Sequence, residues 1–168
     1  GFKFFPKLNQ DISHWKRLQD TKDVVENYLY NVSNLKEKLG TVFLQMHDNF
    51  APKDFNRVVT FIESWPKDIP LAVEFRHTKW YTDVEVAKDL YQLLEAHNVS
   101  NIIVDTAGRC DLLHMRLTNA TAFVRYVGAN HSSDYNRLDG WIERLKDWKE
   151  QGVKEVDFFI HQNIEKES

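Results

Sequence analysis

Apolar and polar positions follow two rhythms along this chain. Six short runs are dominated by Val, Ile, Leu and Phe: "GFKFFPKL", "TVFLQM", "LAVEFR", "NIIVDTA", "TAFVRYV" and "VDFFIHQN". Each has the length and the β-branched or aromatic character of a strand, and several are nearly continuous in apolar character, which fits parallel strands covered on both faces. Between them the apolar spacing widens to that of helices. From Thr21 the residues Val25, Leu29, Val32, Leu35 and Leu39 fall near one helical face, with Gly40 placed as a left-handed stop. Pro52 suits a first-turn position ahead of Phe55, Val58, Val59 and Ile62, and Asp83 can cap a helix that presents Val86, Ala87, Leu90, Leu93 and Leu94. Leu138, Trp141, Ile142, Leu145 and Trp148 predict a further helix ending at Gly152. The stretch "AGRCDLLHMRLTN", between Asp105 and Thr121, is too short and mixed to predict one.

Alternating strands and helices define an α/β fold with a parallel sheet. Strand starts lie about 20 to 40 residues apart, near the roughly 31 per unit of a (β/α)₈ barrel of about 250 residues. The expectation is a TIM-barrel-like fold with about six of the eight strands present. A doubly wound open sheet is the weaker alternative, because the Gly-rich phosphate loop that usually marks it is absent. No repeat, low-complexity segment or linker divides the chain, so residues 1–168 read as one domain. The chain opens inside a strand-like run and closes in the polar tail "NIEKES". It is therefore expected to be a piece of a longer protein, incomplete at both ends and lacking the N-terminal strands.

Composition narrows the partners. With 168 residues, 42% of them hydrophobic and 13% aromatic, the chain can bury a real core. Its 22 basic residues are mixed among 25 acidic ones for a formal charge of −3, and without a basic block nucleic acid is a weak expectation. A lone cysteine, Cys110, cannot build a disulfide framework, which points to a reducing, cytoplasmic setting. Runs such as "NIIV" fall far short of the roughly 20 apolar residues a bilayer demands, so no membrane span is expected.

Candidate chemistry sits at the ends of the strands. Strand residues alternate sides, so Ala72, Glu74 and Arg76 share one face while Val73 and Phe75 share the other. In a barrel a polar pair at the C-terminal end of a strand reaches the mouth, where the βα-loops build active sites. Lys7, Gln45, Asp105, Arg125 and Asn163 finish, or nearly finish, other runs in the same way. Glu74 can serve as general acid or base and Arg76 as an anion clamp; equally, the two can form an internal ion pair that fixes the barrel. Asp105 is a second carboxylate of the kind glycosidases pair, or a loop cap. Lys7 can neutralise an anionic substrate, or form a Schiff base if burial lowers its pKa. His14, His77, and His47 beside Asp48, are candidates for proton transfer. No spacing of metal-ligand type occurs, so no metal is assigned, and cofactor and oligomeric state are left open. Trp15 and Trp80 follow strand ends and can wall a pocket, whereas Trp141 and Trp148 stand at helical spacing and read as packing residues.

The order of motifs adds a family likeness. "FKFFPK" followed by "DISH", then "LGTVFLQM", "EFRHTKW", "FVRYVG" and "FFIHQN", resembles the bacterial and archaeal domain-of-unknown-function 72 family, also called YecE-like. The resemblance implies a TIM-barrel-like fold with a polar cavity at the C-terminal ends of the strands, and a longer parent chain. Carried over position by position, the family-like residues are Lys7, His14, Gln45, Glu74, Arg76, His77, Trp80, Arg125, Gly128 and Asn163, with Tyr135 matching the tyrosine that follows the family's Arg-x-x-Gly segment. Two departures stand out. The family often continues its Gln into a proline-rich loop where this chain has Met46, His47 and Asp48, and it tends to present consecutive asparagines where this chain has His161, Gln162 and Asn163. The resemblance implies no reaction, because the family is named for an unknown function.

The favoured expectation is a barrel that binds a small polar or anionic ligand at its mouth and acts by hydrolysis or isomerisation through Glu74, with Arg76 and Lys7 holding the negative group. The rival is a non-catalytic module for protein or nucleic acid. A third reading has the polar residues satisfying one another.

Overall fold

The computed structural model describes residues 1–162 and contains six strands that are all parallel to their neighbours. β1 (Val42–Gln45), β2 (Leu71–Glu74) and β3 (Ser100–Asn101) form one three-stranded sheet; β4 (Ile103–Thr106), β5 (Thr121–Gly128) and β6 (Glu155–Gln162) form the other. Only Ile102 separates β3 from β4, and its N–H donates to Val73 O at 2.9 Å. The two sheets thus share one strand direction, and the strand order follows the chain order.

α1 (Lys22–Ser33) precedes β1, and α2 (Phe55–Ser64), α3 (Lys79–Thr82), α4 (Val84–Ala96) and α5 (Ser133–Glu150) cross between the strands. α2 turns Val58, Phe61 and Ile62 onto the outer face of β1 and β2, where Val42, Leu44, Leu71 and Val73 await them. α4 adds Leu90 and Leu94 to that cluster, and Asp83 caps it as expected by accepting from Val86 N–H at 3.3 Å. α5 lays Trp141 and Trp148 against Ile103, Ala122, Val124 and Tyr126. The segment from Asp105 to Thr121 contains no helix beyond a 3₁₀ turn at Cys110–Leu112.

Two local expectations need correcting. α1 stops at Ser33 rather than running to Leu39, because Asn31, Ser33 and Asn34 turn their side chains back onto the carbonyls of Asn27 and Tyr30 and compete with helix continuation. Gly40 is then no helix cap. Its φ is not positive, so it is no left-handed stop; a Cβ there would lie 2.9 Å from both Phe4 O and the Phe5 ring, so its role is close approach of the N-terminal segment. That segment, expected as a full strand, forms only isolated bridges among the described residues, Phe4 with Leu39 ahead of β1 and Lys7 with Phe43 on it. Pro6 has no N–H to contribute there.

The inner face of the curled sheet is apolar at mid-height. Phe43, Ala72, Ile102, Val104 and Phe123 form one cluster with Phe5 and Phe159. The Phe5 and Phe159 rings lie 5.2 Å apart, edge to face, so the N-terminal segment meets β6 across the interior. Below this layer Thr41 Oγ1 donates to Asp157 Oδ2 at 3.2 Å. Among the described residues no backbone pairing joins β6 to the N-terminal segment, so no closed barrel is present.

Candidate functional site

Period two carries the same inward faces one step above the phenylalanine layer. Phe5 is followed by Lys7, Phe43 by Gln45, Ala72 by Glu74 and Phe123 by Arg125, so four polar side chains meet at the C-terminal ends of the strands. They are joined in one chain of hydrogen bonds. Lys7 Nζ donates to Gln45 Oε1 at 2.7 Å, Gln45 Nε2 donates to Glu74 Oε1 at 2.8 Å, and Arg125 Nη1 donates to Glu74 Oε2. The amide of Gln45 has one possible orientation, since the ammonium needs an acceptor and the carboxylate a donor.

Glu74 is 1% exposed and is the hub of this cluster. A buried carboxylate is costly unless paired, and here two guanidinium groups share it: Arg125, and Arg76 with Nε 3.8 Å from Oε1. Arg76 reaches outward as well, with Nη1 3.0 Å from Asp48 Oδ1. Lys7, Arg76 and Arg125 therefore face the two carboxylates Glu74 and Asp48. Burial, and next Arg125, hold the Lys7 ammonium below its usual pKa, against the opposing pull of Glu74. Above the cluster His14 and His47 stack edge to face with ring centres 5.3 Å apart. Burial lowers the pKa of His14, and His47, Lys7 and Arg76 lower it further, while Asp48 partly offsets them.

The structure thus brings Lys7, His14, Gln45, Glu74, Arg76 and Arg125 together, and separates other residues proposed from the sequence. Trp80 does not wall the mouth: it is 0% exposed, 4.4 Å from the Phe75 ring, and donates through Nε1 to Phe50 O at 2.6 Å. The turn of α3 folds it into the outer core. Asp105 points the wrong way for a paired carboxylate. It shares the outer face of β4 with Ile103 and accepts from Trp141 Nε1 at 2.7 Å and from Arg137 Nη2 at 2.5 Å, both on α5. His77 stays local, with Nδ1 accepting from Lys79 N–H at 3.3 Å. Tyr135 is 75% exposed on the first turn of α5, over a separate surface hollow lined by His131, Leu138 and Gln162. Trp15 is 74% exposed. Asn163 lies outside the described residues. Asp48, named from the sequence only as the neighbour of His47, enters the cluster through its ion pair with Arg76.

Gly128 matters at the end of β5, where a Cβ would collide with Gln162 Oε1 at 2.2 Å and Asp134 Oδ2 at 2.9 Å. Asp134 accepts from the N–H groups of Ala129 and His131, from Tyr126 OH and from Arg137, and so pins the β5–α5 turn. Among the described residues no group of three or more His, Cys, Asp or Glu is placed to hold a metal ion, and no helix is long and apolar enough to cross a membrane.

An α/β chain of consecutive parallel strands, with polar side chains gathered at one end of the sheet, is the class that fold and site define. The chain belongs to the family described as protein of unknown function DUF72, whose model matches residues 1–168. It is similar to the UPF0759 protein YecE of Escherichia coli (strain K12), at 25% identity over 166 residues, covering 88% of this chain and 61% of that protein. The chain thus spans about three-fifths of that relative. Among solved structures it resembles a DUF72 family protein from Thermotoga maritima MSB8, with TM-score 0.75 and 24% identity over 95% of this chain and 66% of the other. A DUF72 family protein from Enterococcus faecalis V583 aligns with TM-score 0.76 and 20% identity over 97% of this chain and 72% of the other. At these identities the two structures speak for the fold alone.

Proposed function

We propose that the strand ends form a binding site for a small anionic ligand, and that the curled sheet is the larger part of a TIM-barrel-like fold. Support for the fold reading comes from the consecutive parallel strand order and the interior layer of phenylalanines. The relatives are longer than this chain, and the reading assigns the remaining barrel strands to segments outside it.

The observation that carries the ligand reading is the surplus of cations around Glu74. Three basic side chains converge there, and Asp48 answers only one of them directly. Lys7 and Arg76 are more exposed than Arg125, and Lys7 has a single neutral hydrogen-bond partner in Gln45. Guanidinium and ammonium groups so placed match a carboxylate or a phosphate group. Glu74 has both oxygens committed, and its role is to aim Arg125 and Gln45. Hydrolysis or isomerisation is the chemistry such a mouth would perform on its ligand.

Thermal-shift titration with sugar phosphates and small carboxylates tests the site, with Lys7→Ala, Arg76→Ala and Glu74→Gln as controls. Stabilisation that disappears in Lys7→Ala and Arg76→Ala supports it. Stabilisation unchanged by all three substitutions places the ligand elsewhere and removes the proposal.

A further inference from the structure

Hydrolysis or isomerisation needs a group at the mouth that can take and return a proton. Glu74 is a poor choice, since Oε1 accepts from Gln45 and Oε2 from Arg125. Arginine does not deprotonate in proteins. His14 is differently placed. It lies in the helical turn Asp11–Trp15, half-buried, with its ring against that of His47.

One side of its imidazole is fixed. Nδ1 lies 2.6 Å from Ser13 Oγ, and the same hydroxyl contacts Asn9 O at 3.3 Å. In the protonated ring Nδ1–H donates to Ser13 Oγ, and the Ser13 hydroxyl proton is free to turn to Asn9 O. Among the described residues no hydrogen bond engages Nε2, which leaves that nitrogen open to a ligand. The surrounding charges are mostly positive. Lys7 from the N-terminal segment, Arg76 from the loop after β2, and His47 from the loop after β1 all oppose protonation, and Asp48 alone favours it.

We propose that an anion bound at the mouth brings a proton with it, taken up from solvent by the His14 imidazole, and that His14 is the acid–base residue of this site. The inference rests on the anion-binding reading above. Burial and His47 are the larger causes that keep His14 neutral; an anion seated against Lys7 and Arg76 offsets the part those two add, and the imidazolium then becomes a third donor to the same ligand. Linkage makes the effect reciprocal: whatever raises the pKa of His14 on binding must tighten binding as pH falls. The favoured ligand class carries an anionic group for Lys7 and Arg76 and, beside it, an oxygen that can accept a proton from Nε2.

Sulfate is the probe, because it stays a dianion throughout the range and cannot supply the pH dependence itself. Its affinity is measured calorimetrically from about pH 8 to about pH 5.5, with the His14→Asn, His47→Asn, Lys7→Ala and Arg76→Ala variants. Asparagine keeps a donor for Ser13 and removes the titrating nitrogen. The expected result is binding that tightens about tenfold on acidification, equivalent to a rise of about one unit in the pKa of His14. His14→Asn flattens that dependence and His47→Asn retains it. An affinity independent of pH, or a dependence that survives His14→Asn or vanishes only in His47→Asn, overturns the role of His14 and leaves the anion site standing. Sulfate that fails to bind, or binds unaffected by Lys7→Ala and Arg76→Ala, overturns the anion site and the role of His14 together.

Discussion

Glu74 on β2 and Arg125 on β5 stand 51 residues apart in sequence and share a charge-assisted hydrogen bond at the ends of their strands. The contact spans the inside of the curled sheet, since β3 and β4 lie between them. It ties the first three-stranded sheet to the second directly above the layer that contains Ala72 and Phe123. One ion pair therefore both links the two sheets and orders the candidate site.

Removing one partner should be worse than removing both. Arg125→Met leaves Glu74 buried with only Arg76 and Gln45 for company, and is expected to cost about 3 kcal/mol, the lower end for breaking a buried ion pair. Glu74→Gln in the same background should return part of that loss, because the uncompensated charge is gone. Urea unfolding of the two single variants and the double variant measures the coupling. Strictly additive effects would show that the two groups do not depend on each other.

Trp80 separates packing from binding. It is fully buried between Phe50, Phe55 and Phe75, so Trp80→Ala should destabilise the fold by about 3–5 kcal/mol. Trp80→Phe should cost less and leave sulfate affinity at the mouth within about twofold, a change worth roughly 0.4 kcal/mol. A large affinity loss in Trp80→Phe, with little loss of stability, would return Trp80 to the site.

The difference between Glu74 and Asp105 shows what the sequence could and could not reveal. In "LAVEFR" the parity of the strand is marked, because Val73 and Phe75 demand the core and the alternate positions carry the charges. Glu74, Arg76, Gln45 and Lys7 were legible for that reason. In "NIIVDTA" the adjacent Ile102 and Ile103 are both fully buried, one inside the curl and the other beneath α5. Apolar residues on both faces erase the parity signal, so nothing in the run shows that Asp105 lies on the outer side with Ile103. Its partners Arg137 and Trp141 come from a helix that follows the next strand, and only tertiary packing places them. Trp80 misled differently. An aromatic residue shortly after a strand end looks like a pocket wall, until the short helix Lys79–Thr82 turns it inward.

Gly40 should tolerate no side chain. A Cβ would press on Phe4 O and on the Phe5 ring, each at 2.9 Å, and the carbonyl belongs to backbone that is itself bonded to Gly40 N–H at 2.7 Å. Gly40→Ala is expected to destabilise by about 1–3 kcal/mol as an overpacked contact. Because the same segment carries Lys7, the substitution should also weaken sulfate binding. Amide exchange of Leu8, whose N–H donates to Phe43 O at 2.9 Å, should quicken in the variant. Unchanged exchange at Leu8 would mean that the segment does not depend on this close approach.

Asp157 makes stability depend on pH in a direction opposite to that of a salt-bridged carboxylate. It is 6% exposed below the phenylalanine layer, and burial, reinforced by Glu155, raises its pKa from 3.8 to about 6, although Thr41 donates to it and Lys3 pulls the other way. The folded state thus holds its proton more tightly than the unfolded chain does. The contribution is fully present below about pH 4, declines as pH rises toward about 6, and is absent above that, a loss on the order of 3 kcal/mol. Asparagine imitates the protonated acid and still accepts from Thr41. Relative to wild type, Asp157→Asn should therefore gain stability as pH is raised from about 4.5 to about 7.5, while other titrating groups cancel in the difference. Urea midpoints of the two proteins across that range decide the matter. Parallel curves would mean that Asp157 ionises in the folded protein as readily as in water, and that the Thr41 contact does not sit in a desolvated seam.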